Sequence, residues 1–444
     1  MKQKLVLFIL AYFRLFAKLQ LLKIKPIIIG VTGSAGKTST RDAIYAAIKD
    51  NFIVKVSYKA NSESGIPLNI LGLTPNNFSI TEWLKLMILC PVKLITNWDK
   101  YDVYLVEMGI DSPLPPKNME YLLTIFKPNI SVLLNAAPMH SQPFDFLVKT
   151  TNQTKRAVEI TRLIAQEKGK IITQIDENQT AVVNIDQQEL VELLPNVKAN
   201  LVSFGESNDA DIEIENYEIN NNGTNISYEV NSSVFTISFK NQLLAKHFEH
   251  TFAAAIGVSL ALGLKIKDIK NSLEKNFKLP PGRSSLIKGI NDSLIIDSSY
   301  NSSTKPAIDM LNLLYQLKGK HKYALLGDIR ELGEVSKIEH QKVAKKAISV
   351  CDQIFLIGPQ MKEFALPIIE QSNIPVKWFK NGYLAADYIK EMIKKDDIIL
   401  IKGSQNTLLL EIAVEKLMVN PNDSAKLLAR RGAFWDKKRA ELES

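Results

Sequence analysis

Cysteine is nearly absent from this sequence: Cys90 and Cys351 are the two in 444 residues, and they lie far apart. That excludes a disulfide framework and a four-cysteine zinc site, and it points to a reducing cytosol. There is no internal repeat or low-complexity tract, and 46% hydrophobic with 23% charged residues is the composition of an ordinary globular chain rather than a disordered or fibrous one. Basic residues exceed acidic ones by eight, yet Lys and Arg are spread along the whole chain and no basic block interleaved with aromatics occurs. Nucleic acid is therefore not the expected partner; the excess suits anionic small molecules or a membrane surface. Long apolar runs are also missing. Leu5–Phe13 is nearly all apolar, but Arg14, Lys18, Lys23 and Lys25 interrupt the rest of the segment, so the run falls short of the roughly 20 residues that span a bilayer. No small-residue cleavage site comes after it, which argues against a signal peptide. Residues 1–25 are expected to form a hydrophobic, basic helix, either peripheral at the inner face of a membrane or packed on the protein itself.

What is present centres on Ile27–Thr40: an apolar strand, a turn carrying Gly30, Gly33 and Gly36, then a helix. Glycines let the backbone approach an anion, the helix start offers unpaired N–H groups, and Lys37 and Thr38 supply a cation and a hydroxyl suited to Mg²⁺. The spacing departs from G-x-x-x-x-G-K-[ST], which would require Gly at Val31. After the cradle, a helix over Thr40–Lys49 and a strand over Phe52–Val56 are expected, then a polar loop at Asn61–Leu68 and a helical stretch at Trp83–Trp98. Val103–Gly109 reads as a buried strand ending on Glu107, and Ile130–Asn135 as another leading to His140. In a parallel sheet these carboxyl ends share one rim, so Glu107 can reach a metal bound beside Thr38.

A helix from Thr151 to Gly169 carries Lys168, and Ala181–Asp186 is a further strand. Between Asp211 and Lys240 the pattern becomes alternating, with Asn221-Asn222-Gly223 as a turn, which predicts antiparallel hairpins beside the parallel sheet. Leu279-Pro280-Pro281-Gly282-Arg283 is a stiff break. Beyond it a β/α rhythm restarts at Leu294–Asp297, Tyr323–Asp328, Gln353–Gly358 and Asp397–Ser404, giving a second doubly wound domain. The length demands two or three domains. The expected division is an N-terminal helix at 1–25, a central P-loop domain at 26–279, a Rossmann-like domain at 280–420 and a charged, solvated terminal helix at 421–444.

With these blocks in hand the sequence resembles the Mur ligases, ATP-dependent amide-forming enzymes of peptidoglycan synthesis. Thr32-Gly33-Ser34-Ala35-Gly36-Lys37-Thr38 is similar to their P-loop. Asn61–Leu68, Glu107-Met108-Gly109, Asn135–His140, Asp297–Asn301, Leu326–Gly333 with His340, and Lys402-Gly403-Ser404 are similar to the branch that adds D-alanyl-D-alanine to UDP-MurNAc-tripeptide. The blocks run from about Pro26 to Leu417. The resemblance implies an α/β fold, an acyl-phosphate mechanism, ATP and Mg²⁺ as cofactors, and a peptidyl nucleotide-sugar and a dipeptide amine as substrates. It implies that Gly33, Ser34, Ala35, Gly36, Lys37, Thr38 and Ser39 bind ATP, with Arg283 and Asp297 completing the nucleotide site. Thr38, Glu107, His140 and Lys168 would serve the metals, Lys168 as a carbamate, and Lys37, His140 and Lys168 would carry the catalysis.

Departures accompany the matches. The P-loop begins near residue 30, where the family places a uridine-binding domain before it, so recognition of a UDP-linked substrate is expected to differ or to come from a partner. Ser298 stands for the second Asp of the Asp-Asp-Ser/Thr-Tyr-Asn block, Ser302-Ser303 for the Asn-Pro that usually comes next, and Thr251 for an adenine-contacting Asn. Two other readings stay open: a ligase of this fold for a different carboxylate and amine, and a non-catalytic ATP-binding partner at the membrane.

Overall fold

The computed structural model describes all residues except 1, 59, 76–78, 138–141, 151–152, 221–222, 241, 331, 333–334, 404–407 and 444. The chain folds into two compact units. One comprises residues 1–216, 226–237 and 248–277; the other comprises 217–225, 238–247 and 278–444.

The first sheet has nine strands: β1 (Ile27–Thr32), β2 (Val54–Val56), β3 (Val103–Glu107), β4 (Ile130–Leu133), β5 (Thr180–Asn184), β6 (Asn200–Gly205), β7 (Ile212–Asn220), β8 (Gly223–Val230) and β9 (Ser233–Lys240). Their order is β2-β3-β1-β4-β5-β6-β7-β8-β9, parallel from β2 through β7. The strands β3, β1 and β4 are buried along their length apart from Ile27, as strands covered on both faces must be. The expected hairpins are β7, β8 and β9. Asn231 and Ser232 join the last two with φ of 50° and 59°, the double positive φ that matches the twist of a two-residue hairpin. Asn221 and Asn222 of the expected turn lie outside the described residues. The strand β6 has no counterpart among the expected elements; its first half is exposed and lacks a continuous apolar run.

The first four helices along the chain are α1 (Lys2–Ile24), α2 (Lys37–Ile48), α3 (Gly65–Ile70) and α4 (Ile80–Thr96). The apolar N-terminal stretch extends well past Phe13, and Leu5–Ile24 is long and apolar enough to cross a membrane by length and composition. It is nonetheless docked. Leu10, Phe13, Ala17, Gln20 and Leu21 are buried, packed against α3 and α4. The alanine-rich helix Phe248–Ala261 is enclosed almost all round, and at Gly257 a Cβ would lie 2.9 Å from Val182 Cγ1, so glycine permits this close approach of helix to sheet.

The second sheet has β10 (Ser285–Lys288), β11 (Leu294–Ser298), β12 (Lys322–Gly327), β13 (Gln353–Ile357), β14 (Val376–Phe379) and β15 (Ile398–Lys402), in the order β10-β11-β15-β12-β13-β14. All pair in parallel except β10 with β11. Alternate residues feed two cores. Ala324, Leu326, Ile398 and Leu400 join helices Thr304–Gln316 and Ser336–Ile348 on one face. Tyr323, Leu325, Ile399 and Ile401 join helices Gly382–Met392 and Glu411–Leu417 on the other. This is the double winding expected from the sequence. The terminal segment differs from the single solvated helix expected. Short helices Ser424–Leu427 and Ala433–Glu443 flank a break at Arg430, which has φ 54°. Its guanidinium is buried against Glu411 at 2.8 Å, and that buried pair holds the segment down.

Candidate active site

At the carboxyl ends of the first sheet, Val31 pairs in register with Glu107 on one side and Val132 on the other. The loop after β1 therefore opens between β3 and β4. Gly33 packs so closely that a Cβ would fall 2.9 Å from Leu134 Cβ and 3.3 Å from the Ala35 carbonyl oxygen. Gly36 turns the chain into α2 with φ 82° in the left-handed region, a conformation glycine adopts freely. The loop is pinned from β4. Ser34 N–H donates to Asn135 O (3.0 Å), Ala35 N–H donates to Asn135 Oδ1 (2.9 Å), and Ala137 N–H donates to Ser34 Oγ (2.9 Å). Asn135 is held in turn near Gln187, whose amide bonds Ala136 N–H and O (2.9 and 2.6 Å). The first N–H groups of α2, at Lys37, Thr38 and Ser39, have no partner within the helix and could receive an anion.

Lys37 Nζ donates to Gly33 O at 2.7 Å, arching over the loop. Burial lowers its pKa, opposed by Glu107 and Asp111. Thr38 Oγ1 donates to Glu107 Oε2 at 3.2 Å, and Arg41 Nη1 meets Glu107 Oε1 at 2.6 Å. Arg41 also grips Asp42 and lies 4.7 Å over the Tyr58 ring. Sequence reading missed Arg41, although it comes three positions after Thr38 and so shares its face of α2. Ser39 is partly buried at the same helix start. Asn61 O accepts from Gly109 N–H at 2.9 Å, so the Asn61 block and the Glu107 block meet.

Lys168 lies on the helix Gln153–Thr173, close enough to Lys37 to feel its charge. Its side chain is buried, and desolvation, reinforced by Lys37, lowers its pKa to about 7 against Asp111 and Glu167. Asp111 is a second group sequence reading passed over. His140 lies outside the described residues. Thr38, Glu107 and a carbamylated Lys168 would offer hard oxygen donors, the set that suits Mg²⁺.

In the second unit Asp297 is fully enclosed. Its Oδ1 accepts from Ser299 N–H at 3.0 Å, and burial raises its pKa. The Arg283 guanidinium lies 5.0 Å over the Tyr300 ring. Both Arg283 and Asp297 act on Lys402, a buried lysine whose pKa desolvation lowers to about 8; it donates to Asn301 O at 2.9 Å. His340 is buried, accepting from Ile329 N–H at Nε2 (3.0 Å) with Nδ1 against Ser336 O (2.8 Å), so its ring is held from both sides. Thr251 is buried in its helix. Near it His250 Nε2 meets Asp186 at 2.6 Å, a pair that the sequence did not announce. Ser404, Glu331 and Gly333 lie outside the described residues.

A glycine cradle on a parallel sheet, with a lysine, a hydroxyl and a carboxylate converging on it and a second doubly wound unit in the same chain, defines a P-loop nucleotide-dependent enzyme. The family described as the Mur ligase middle domain matches residues 31–259, and that described as the Mur ligase glutamate ligase domain matches residues 282–405. The chain belongs to the Mur ligase family and is, by that membership, an ATP-dependent ligase. It is similar to the UDP-N-acetylmuramoyl-tripeptide–D-alanyl-D-alanine ligase of Rickettsia prowazekii, 26% identical over 86% of this chain and 76% of that one. The Bacillus subtilis enzyme of the same name is 26% identical over 91% and 79%. The MurF ligase of Thermotoga maritima, solved in complex with ADP, shares the fold with a TM-score of 0.71 at 23% identity, over 92% of this chain and 83% of that one.

Proposed function

We propose that the chain joins D-alanyl-D-alanine to the carboxylate of a UDP-MurNAc-tripeptide in peptidoglycan precursor synthesis, with ATP cleaved to ADP and phosphate. A substrate carboxylate oxygen attacks the γ-phosphorus and the bond to ADP breaks; the dipeptide amine then attacks the acyl carbon, phosphate leaves and the amine gives up a proton. The observation that carries this reading is the convergence of Lys37, Thr38 and Glu107 on one cradle, with the buried Lys168 near enough to feel the charge of Lys37, in a chain whose similar relatives bear that enzyme's name.

The amides of Gly36 to Ser39 and the Lys37 ammonium hold the phosphates and stabilise charge on the transferred group. Thr38 and Glu107 would hold Mg²⁺, with His140 serving a second ion and Lys168 contributing as a carbamate; the metal, when bound, draws electron density from the phosphoryl oxygens. Burial keeps much of Lys168 neutral near pH 7, and a neutral amine is the form that captures CO₂. Arg283 and Asp297 would serve nucleotide binding, Asp297 through the turn it fixes at Ser299. The reaction belongs to the cytoplasm.

The test is ADP release with UDP-MurNAc-tripeptide and D-alanyl-D-alanine, each omitted in turn, with the product weighed by mass spectrometry. Dependence on both supports the reading. Turnover indifferent to the dipeptide, or equal turnover with an unrelated amine, overturns it.

A further inference from the structure

Two helices of the first unit turn apolar faces to solvent. On α4 Ile80, Leu84, Ile88, Val92 and Ile95 recur at helical spacing, and all are exposed, Ile88 at 70% and Ile95 at 71%. Such a stripe is what a soluble helix ordinarily buries; here the opposite face, with Glu82, Leu86 and Cys90, is the buried one. On α1 Phe13, Ala17 and Leu21 are inside while Phe8, Leu15 and Leu22 are exposed.

The two stripes lie on one surface. Tyr12 Oη donates to Met87 O (3.1 Å), Phe13 stacks on Trp83 (5.6 Å between centroids), and Gln20 Nε2 and Lys23 Nζ both donate to Asn97 O (3.1 and 2.8 Å). The middle of α1 thus meets the first half of α4, and the end of α1 meets the end of α4: the helices run side by side in the same direction. Phe13, Leu86 and Cys90 belong to one buried cluster, so the faces turned away from it point the same way.

Charge selects the occupant. Residues 2–25 contain Lys2, Lys4, Arg14, Lys18, Lys23 and Lys25 and no acid. The helix α4 adds Lys85 and Lys93, and its single acid, Glu82, is buried. A second copy meeting this face would bring like charges together, whereas an anionic bilayer would meet them with opposite charge. Trp98, 71% exposed with Lys23 Nζ 3.5 Å over its ring, adds the aromatic that favours the water–lipid boundary. For α1 to span a membrane, Phe13, Ala17 and Leu21 would have to leave the core and Arg14 its bond to Thr124 Oγ1 (2.7 Å).

We propose that the outward faces of α1 and α4 together form a docking surface for an anionic lipid bilayer, on which the protein lies without crossing. None of these residues belongs to the phosphate cradle, so this inference stands or falls separately from the ligase reading.

The full chain is sedimented with phosphatidylcholine vesicles, with and without phosphatidylglycerol. Binding is expected with phosphatidylglycerol, weakened by salt, reversed by alkaline carbonate, and reduced by at least about tenfold in the double variant Ile88→Glu/Ile95→Glu. The variant should keep its thermal midpoint and its ADP release in solution, since both side chains are exposed in the free chain. No binding, binding that the variant leaves unchanged, or carbonate-resistant retention overturns the proposal. So does a solution dimer that the variant dissociates when neither protein binds vesicles, which would make a second copy the occupant.

Discussion

Arg41 and Glu107 form an ion pair at 2.6 Å, with both side chains less than a tenth exposed. The other oxygen of Glu107 accepts from the Thr38 hydroxyl, so one carboxylate serves both the body of the protein and the mouth of the cradle. Removing one partner of a buried pair strands the other, at about 3–5 kcal/mol. Arg41→Met should therefore lower the denaturation free energy by that order and reduce turnover, while Arg41→Met with Glu107→Leu should recover stability and leave the enzyme inactive. Urea titration alongside ADP release separates the two effects.

The glycines of the cradle should fail differently. At Gly33 the added Cβ meets Leu134 Cβ and the Ala35 carbonyl, so Gly33→Ala must displace the loop and should weaken ADP binding by ~10-fold or more, about 1.4 kcal/mol. At Gly36 the space is open, with Leu134 Cδ1 3.8 Å away as the near neighbour, and the penalty is the left-handed φ alone, roughly 1–2 kcal/mol. Gly36→Ala should thus show mainly as lost stability. Calorimetric titration with ADP and thermal unfolding tell these apart.

Lys168 makes a pH-dependent prediction. With a pKa of about 7, it is about nine-tenths neutral at pH 8, and labelled bicarbonate should give a carbamate carbon signal that fades as pH falls below 7 and is missing in Lys168→Met. Stability tracks the same proton. Between about 7 and the ordinary 10.5 the unfolded chain holds a proton there that the folded chain lacks, so unfolding free energy rises with pH across that window. Below about 7 both states are protonated and the gain is gone. Lys168→Met should flatten the slope.

The first helix belongs to the core of its unit. Phe13 is fully buried and stacked on Trp83, so Phe13→Ala should cost about 3–5 kcal/mol, and deletion of residues 1–24 should yield aggregated protein rather than a trimmed soluble enzyme. Circular dichroism and size-exclusion chromatography check this.

Much of the site was legible because strand ends announce themselves. An apolar run closing on Glu107, or on a glycine turn before Lys37, places a polar group on the rim of a parallel sheet before any coordinate is known. What escaped was set by tertiary contact. Asn135 holds a loop a hundred positions earlier, and Asp186 finds His250 across 64 residues; neither leaves a local pattern. The strand β14 is a four-residue, half-exposed segment whose identity comes from its neighbour β13. The helix α4 was recognisable as apolar, but which of its sides faces inward depends on α1 lying beside it.

Seven of the twelve residues of α2 are buried, and the helix is wedged against helices Phe248–Ala261 and Ile266–Asn276 of its own unit. The loop it terminates is consequently ordered when the chain folds, not when a nucleotide arrives. Association with nucleotide should then be a single second-order event, its observed rate rising in proportion to concentration without levelling off at a conformational limit.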